Sequence, residues 1–217
     1  MSDFDNEHNL AKKERLLSEI TQGQNVGPSL MRLAASTKNT DTRWMAMRGM
    51  RDVHCLQCIG FLEGSLKDKD ALVRANAARA LGDLGAKASG QLVLNMFIPE
   101  SDPGALEQAS LALHMLGVKS ACPYIREKIP KYSWQTRAWL LQALGALGSK
   151  TDVPFIAGYL DSTDKASAMM AAAALEELTG ADFGPHPSGP SGYPPPDLVK
   201  ARAWWASQKA TWPDPPS

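Results

Sequence analysis

An all-α fold made of repeated helix pairs is what this 217-residue sequence predicts, and three observations carry that prediction. The segments RALGDLG, LALHMLG, QALGALG and AALEELT end at Gly85, Gly117, Gly148 and Thr179, in steps of 32, 31 and 31 residues. The apolar content is rich in Ala, Leu and Met and poor in the β-branched and aromatic residues that favour strands. Each of the four segments is preceded by a residue suited to an N-cap, Asp70, Asp102, Ser133 or Asp164, whose side-chain oxygen can accept from the open N–H groups of a first helical turn.

Residues 1–25 are expected to form an N-terminal capping helix. Leu10, Leu16, Leu17 and Ile20 fall on one side of it, and Asp3, Asp5 and Glu7 stand near the positive end of its dipole. Residues 26–180 then divide into five units of two helices. First helices are expected at about Pro28–Ser36, Ile59–Leu66, Ser89–Phe97, Cys122–Ile129 and Val153–Leu160. Second helices are expected at about Thr40–Val53, Asp70–Leu84, Asp102–Leu116, Ser133–Leu147 and Asp164–Leu178. Pro103 sits where its missing N–H costs nothing, and Gly85, Gly117 and Gly148 suit the left-handed conformation common just past a helix end. Residues 181–217 hold a run with prolines at 185, 187, 190 and 194–196, followed by a short helix bearing Leu198, Trp204 and Trp205. Phe183, Tyr193, Trp204 and Trp205 are expected to cap the last repeat, since paired tryptophans left in water would be an aggregation liability.

The most regular unit, Asp70-Ala-Leu-Val73-Arg74 followed by Ala77 to Gly85, resembles the short HEAT-like repeat named after the phycobilisome lyases. That family's pattern is an apolar first helix, often with a proline near its start, then D-x-x-V-R and A-x-x-A-L-G-x-L-G on the second. Pro123 and Pro154 fit it, and Arg43 and Arg137 stand where Arg74 does, whereas Leu106 and Ala168 depart from it. The resemblance covers about Val26 to Gly180 and implies a right-handed α-solenoid, in which a unit unable to bury its apolar face alone shares a core with its neighbours.

Composition and spacing narrow the chemistry. Lys plus Arg equals Asp plus Glu, 23 against 23, so the formal charge is zero, which argues against a protein that works by gripping a phosphate backbone. The acidic N-terminus and the absence of a long apolar run lead us to expect a cytoplasmic protein without membrane insertion. Three cysteines do not describe a disulfide framework. Cys55-Leu-Gln-Cys58 beside His54 is half a zinc site at most, and we expect small structural thiols there. The four histidines are scattered, with no Ser or Cys beside them in a nucleophile motif. The iron hydroxylase of the HEAT family is marked by His-Glu pairs, and none occurs here. No catalytic residue, cofactor or metal is therefore expected.

The informative positions are those of the second helices, which line the concave surface of HEAT-like solenoids. The place of Asn76 is taken in the five units by Met45, Asn76, Gln108, Trp139 and Met170. Three residues on stand Arg48, Arg79, Leu111, Gln142 and Ala173. Arg48 and Arg79, with Trp44 beside them, make one end basic, and Trp139, Met169 and Met170 make the other apolar. Methionine and tryptophan offer adaptable, large contacts. The expected function is a non-enzymatic scaffold or adaptor that binds a partner protein on this face through Trp44, Arg48, Arg79, Trp139, Met169 and Met170. A bilin-lyase-like ligand-handling enzyme and a nucleic-acid binder using Arg43, Arg48, Arg51, Arg74 and Arg79 are the alternatives.

Overall fold

A computed structural model describes residues 26–184 and 196–212, and the expected N-terminal helix and Tyr193 lie outside them. Among the described residues there are eleven α-helices and no strand. They divide into two compact units that meet in sequence at Val118 and Lys119. The first unit holds α1 (Gly27–Ser36), α2 (Thr40–Asp52), α3 (Ile59–Ser65), α4 (Ala71–Asp83), α5 (Gly90–Phe97) and α6 (Pro103–Leu116). The second holds α7 (Cys122–Lys128), α8 (Trp134–Leu147), α9 (Val153–Ala157), α10 (Lys165–Thr179) and α11 (Leu198–Gln208). The expected helices of the repeats are all present, most within one or two residues of their anticipated ends. α9 is cut short, at Ala157, just before Gly158.

Second helices start where their caps dictate. The carboxylates of Asp70, Asp102 and Asp164 accept from the backbone N–H groups of Leu72, Ala105 and Ser167, and the Asn39 side chain does the same for Thr42. Ser133 is an exception, because its hydroxyl makes no cap bond at the start of α8. Gly85 and Gly117 take the left-handed conformation with φ of 63° and 71°. Gly148 does not: at φ −71° and ψ −166° it is extended, because Ser149 and Asp152 form a capping box that starts the next turn there instead. In the last repeat the left-handed residue is Gly180 (φ 73°), just after Thr179. Short 3-10 turns at Leu56–Cys58, Lys87–Ser89, Lys119–Ala121 and Lys150–Asp152 lead into the first helices of the following repeats, an element the sequence pattern does not announce.

The repeat register is also the register of the core. Met50, Leu81, Leu113, Leu144 and Leu175 occupy one repeat position and are fully buried, as are Ala46, Ala77, Ala109, Leu140 and Ala171 at another. Burying one such leucine contributes about 1.5–3 kcal/mol. Helices close to contact distance need glycine: a Cβ on Gly82 would lie 2.9 Å from the Ala112 Cα of α6, and one on Gly145 would lie 2.7 Å from the Ala174 Cα of α10.

The arginine of D-x-x-V-R ties one repeat to the next. Arg43 reaches Asp68 at 3.2 Å, Arg74 grips both oxygens of Glu100 at 2.7 and 2.9 Å, and Arg137 reaches Asp164 at 2.9 Å. Burial pushes the Glu100 carboxyl up, but the bonds from Arg74 and from the N–H groups of Ser101 and Asp102 outweigh it and hold the group below its ordinary range. On the first helices, Arg126 meets the buried Asp152 at 2.8 Å, and Glu63 accepts from Ser89 at 2.7 Å.

The tail packs on the last repeat. Phe183 is buried and meets the Trp204 ring edge-on, Trp204 meets Trp205 and Trp212, and Ala201 of α11 is fully buried. Arg202 donates to the Leu160 carbonyl twice, and Trp212 Nε1 donates to the Lys150 carbonyl at 3.0 Å.

Candidate functional site

Three second helices of the first unit, α2, α4 and α6, carry the residues of one groove of about 360 Å³. It is lined by Trp44, Arg48 and Arg51 of α2, Leu72, Ala75, Asn76 and Arg79 of α4, and Gly104 and Gln108 of α6. The helical period explains the set. Trp44, Arg48 and Arg51 follow one another by four and three residues, as do Leu72, Asn76 and Arg79, so each triplet lies along one helix face.

Trp44, Arg48 and Arg79, singled out from the sequence, come together here. Met45 does not join them: it is buried, because α2 turns Met45, Met47 and Met50 into the core. Arg51, Leu72 and Gln108 also line the groove. Leu72, about half exposed, is the one the pattern hides, since leucine in an amphipathic helix ordinarily marks the inner face. The clue was its spacing of four residues from Asn76.

The groove's polar side is a ladder of guanidinium and carboxylate groups. Arg51 binds Asp52 at 2.8 Å and stands 3.7 Å from Asp83. Asp83 accepts from Arg79 at 2.7 Å, and Arg79 extends to the Gln108 side-chain oxygen at 3.5 Å. Arg48 stands 3.7 Å from Asp52. Arg48, Arg51 and Arg79 are thus set among the carboxylates of Asp52 and Asp83, and beside them the Trp44 Nε1 donates to Asp41 at 3.4 Å. Exposed pairs of this kind contribute about 0–1 kcal/mol each to stability. Their larger consequence is a set of fixed donors along the groove.

The arginines grouped as a nucleic-acid surface fall into two sets. Arg43 and Arg74 are committed to the Asp68 and Glu100 ties between repeats, and only Arg48, Arg51 and Arg79 line the groove.

In the second unit, Trp139 of α8 is about two-fifths exposed, and Met169 and Met170 of α10 are half-buried. Trp134, half exposed at the start of α8, adds to the apolar surface of that helix. Here the equivalent repeat positions carry rings and thioethers in place of guanidinium groups.

Cys55 and Cys58 are not free thiols as expected. They form a disulfide with the two Cα atoms 5.3 Å apart, a separation that the three-residue step and the 3-10 turn between them allow. Cys122 is free and buried, and burial together with the nearby Asp152 pushes its thiol up. Among the described residues no group of three or more His, Cys, Asp or Glu side chains could hold a metal ion, and no helix is long and apolar enough to cross a membrane.

Helix pairs in register, with a shared core and a variable face on the second helices, define the chain as a helical-repeat protein of the α-solenoid class. Residues 27–114 match the family model of HEAT repeats. No curated protein matches the sequence. Among solved structures, the complex of CpcE and CpcF of phycocyanin lyase from Nostoc sp. PCC7120 is similar, with a TM-score of 0.65 and 23% identity over 73% of this chain and 67% of that one. An engineered protein is similar with a TM-score of 0.56 and 15% identity over 83% of this chain and 98% of that one. At these identities the likeness is one of fold.

Proposed function

We propose that the chain is a non-enzymatic adaptor that binds a partner protein on the face of its second helices, expected to be the concave one. Trp44, Arg48 and Arg79 make the contact in the first unit, and Trp139, Met169 and Met170 make it in the second. The supporting observation is the groove across α2, α4 and α6, where an aromatic ring and a row of oriented donors lie on a rigid scaffold. Aromatic and arginine side chains are the groups that dominate protein interfaces. The similar Nostoc structure is itself a complex of two polypeptides, in keeping with a fold used for pairing.

To test it, a photo-crosslinking residue is placed at Asn76 in the groove and, in a control, at the exposed Gln91 of α5. Crosslinking in the native cell should give a discrete protein adduct from position 76 and none from 91, and Trp44→Ala with Arg79→Ala should abolish it. Adducts of equal yield from both positions, or none from 76, end the proposal. The fold shared with a phycocyanin lyase subunit favours a second reading, a bilin-lyase-like handler of a ligand. An absorption band beyond the tryptophan region in the purified chain would carry that reading.

A further inference from the structure

The end of α2 differs from the ends of α4 and α6 at one residue. All three helices close with the same pair of backbone bonds. Gly85 N–H donates to the Gly82 carbonyl and Ala86 N–H to that of Leu81; Gly117 N–H donates to His114 and Val118 N–H to Leu113; His54 N–H donates to Arg51 and Cys55 N–H to Met50. This motif places its penultimate residue in the left-handed region, where glycine alone is free of a Cβ clash. The first repeat puts a histidine there, with φ of 51°. His54 is the one described non-glycine residue with positive φ, and the residue that follows it is tied to Cys58 by the disulfide.

The disulfide also has a second neighbour. Gly27, the first residue of α1, packs directly on it: a Cβ there would collide with Cys55 Sγ and come within 3.2 Å of Cys58 Sγ. One covalent bond thus lies directly after an unfavourable turn at the end of α2 and forms the seat for the start of α1.

We propose that Cys55–Cys58 is a reversible thiol–disulfide exchange site whose co-reactant is a thiol of the glutathione or protein-dithiol class, and that its oxidation state sets how firmly α1 and the end of α2 are held. Both cysteines are buried, and the attacking thiolate reaches Cys55, the less buried residue, as the turn opens. The Cys55–Cys58 bond breaks, and its electron pair stays on Cys58, which takes a proton. A second thiolate then displaces Cys55 from the mixed disulfide, and Cys55 leaves as a thiolate and is protonated. Two electrons and two protons pass to the pair, and the reductant becomes a disulfide. In a reducing compartment such a pair cycles, whereas in an oxidising one it stays closed.

The full chain is equilibrated in glutathione buffers of stepped reduced-to-oxidised ratio and quenched by alkylation. The state of Cys55 and Cys58 is read by peptide mass, and backbone hydrogen exchange is followed in parallel. The disulfide fraction should follow the ratio as a two-electron transition, with Cys122 not participating. In the reduced form, residues 27–36 and 50–58 should exchange about five- to thirtyfold faster, the factor expected when the hold on a left-handed L-residue is lost, while residues 119–184 keep their rates. Cys55→Ser with Cys58→Ser should show the fast pattern in every buffer. His54→Gly, which removes the clash, should make exchange at 50–58 respond far less to reduction. A pair that stays reduced or stays oxidised across all buffers overturns the proposal. So does a Ser variant that keeps the slow pattern, or a His54→Gly variant that responds as the native chain does.

Discussion

The two compact units share their construction and differ in what they show to solvent. In the first, Gly82 lies against Ala112 and Arg74 binds Glu100; in the second, Gly145 lies against Ala174 and Arg137 binds Asp164. Yet the second helices of the first unit present Arg48, Arg51 and Arg79 with one tryptophan, and those of the second present Trp139, Met169 and Met170. The packing positions are constrained by geometry, so little variation is open to them. The exposed face is not, and specificity can be written there without disturbing the stack.

The largest test of this comparison is at the glycines. Gly145→Leu forces a side chain into the backbone of α10, and the loss should be about 3 kcal/mol or more, read as a lower urea midpoint. Gly82→Leu should lose a similar amount, because the Ala112 backbone also stands close to the added Cβ, at 2.9 Å. A unit that tolerated its substitution would break the equivalence.

The ion ties come next and should separate the units. Glu100→Gln leaves Arg74 without its buried partner and should cost about 2–3 kcal/mol at neutral pH. The folded-state pKa of Glu100 lies below the unfolded one, so the stability it contributes is fully present above the ordinary carboxylate range, near pH ~4.3, and is lost as pH falls through the lowered value. The variant should therefore show a shallower acid dependence in denaturant titrations below that range. Asp164 is lowered in the same direction, since bonds from Ser167, Ser162 and Arg137 outweigh its desolvation, but it is far more exposed than Glu100. Asp164→Asn should give a smaller change of the same sign.

The smallest effects are expected at the caps. Asp102→Ala removes the bond to the Ala105 N–H and should cost about 1 kcal/mol, whereas Ser133→Ala, at a hydroxyl that caps nothing, should cost a few tenths at most. Thermal melts of the two variants suffice to compare them.

The architecture was legible because its signals are local. Asp70, Asp102 and Asp164 mark helix starts by chemistry that acts within three residues, and Gly85 and Gly117 mark ends by a conformation other residues resist. Where a signal depends on a neighbour it was lost. Gly148 looks like its counterparts, but Ser149 and Asp152 claim the turn; Ser133 looks like a cap, but its hydroxyl makes no cap bond. Cys55 and Cys58 read as thiols because spacing alone does not say whether two sulfurs meet. In the groove, Trp44 and Arg48 stood out as departures from the most regular repeat and Arg79 by its register on the second helix, while Leu72 looked like core, since an exposed leucine is recognisable only by the phase of its helix.

The tail has a consequence for growth. A stack of repeats behaves as a one-dimensional polymer whose free end can accept another unit. With α11 lying on α10, the Leu160 carbonyl bonded to Arg202 and the Trp204–Trp205–Trp212 cluster in place, the side of α10 that another repeat would stack on carries a helix of different composition.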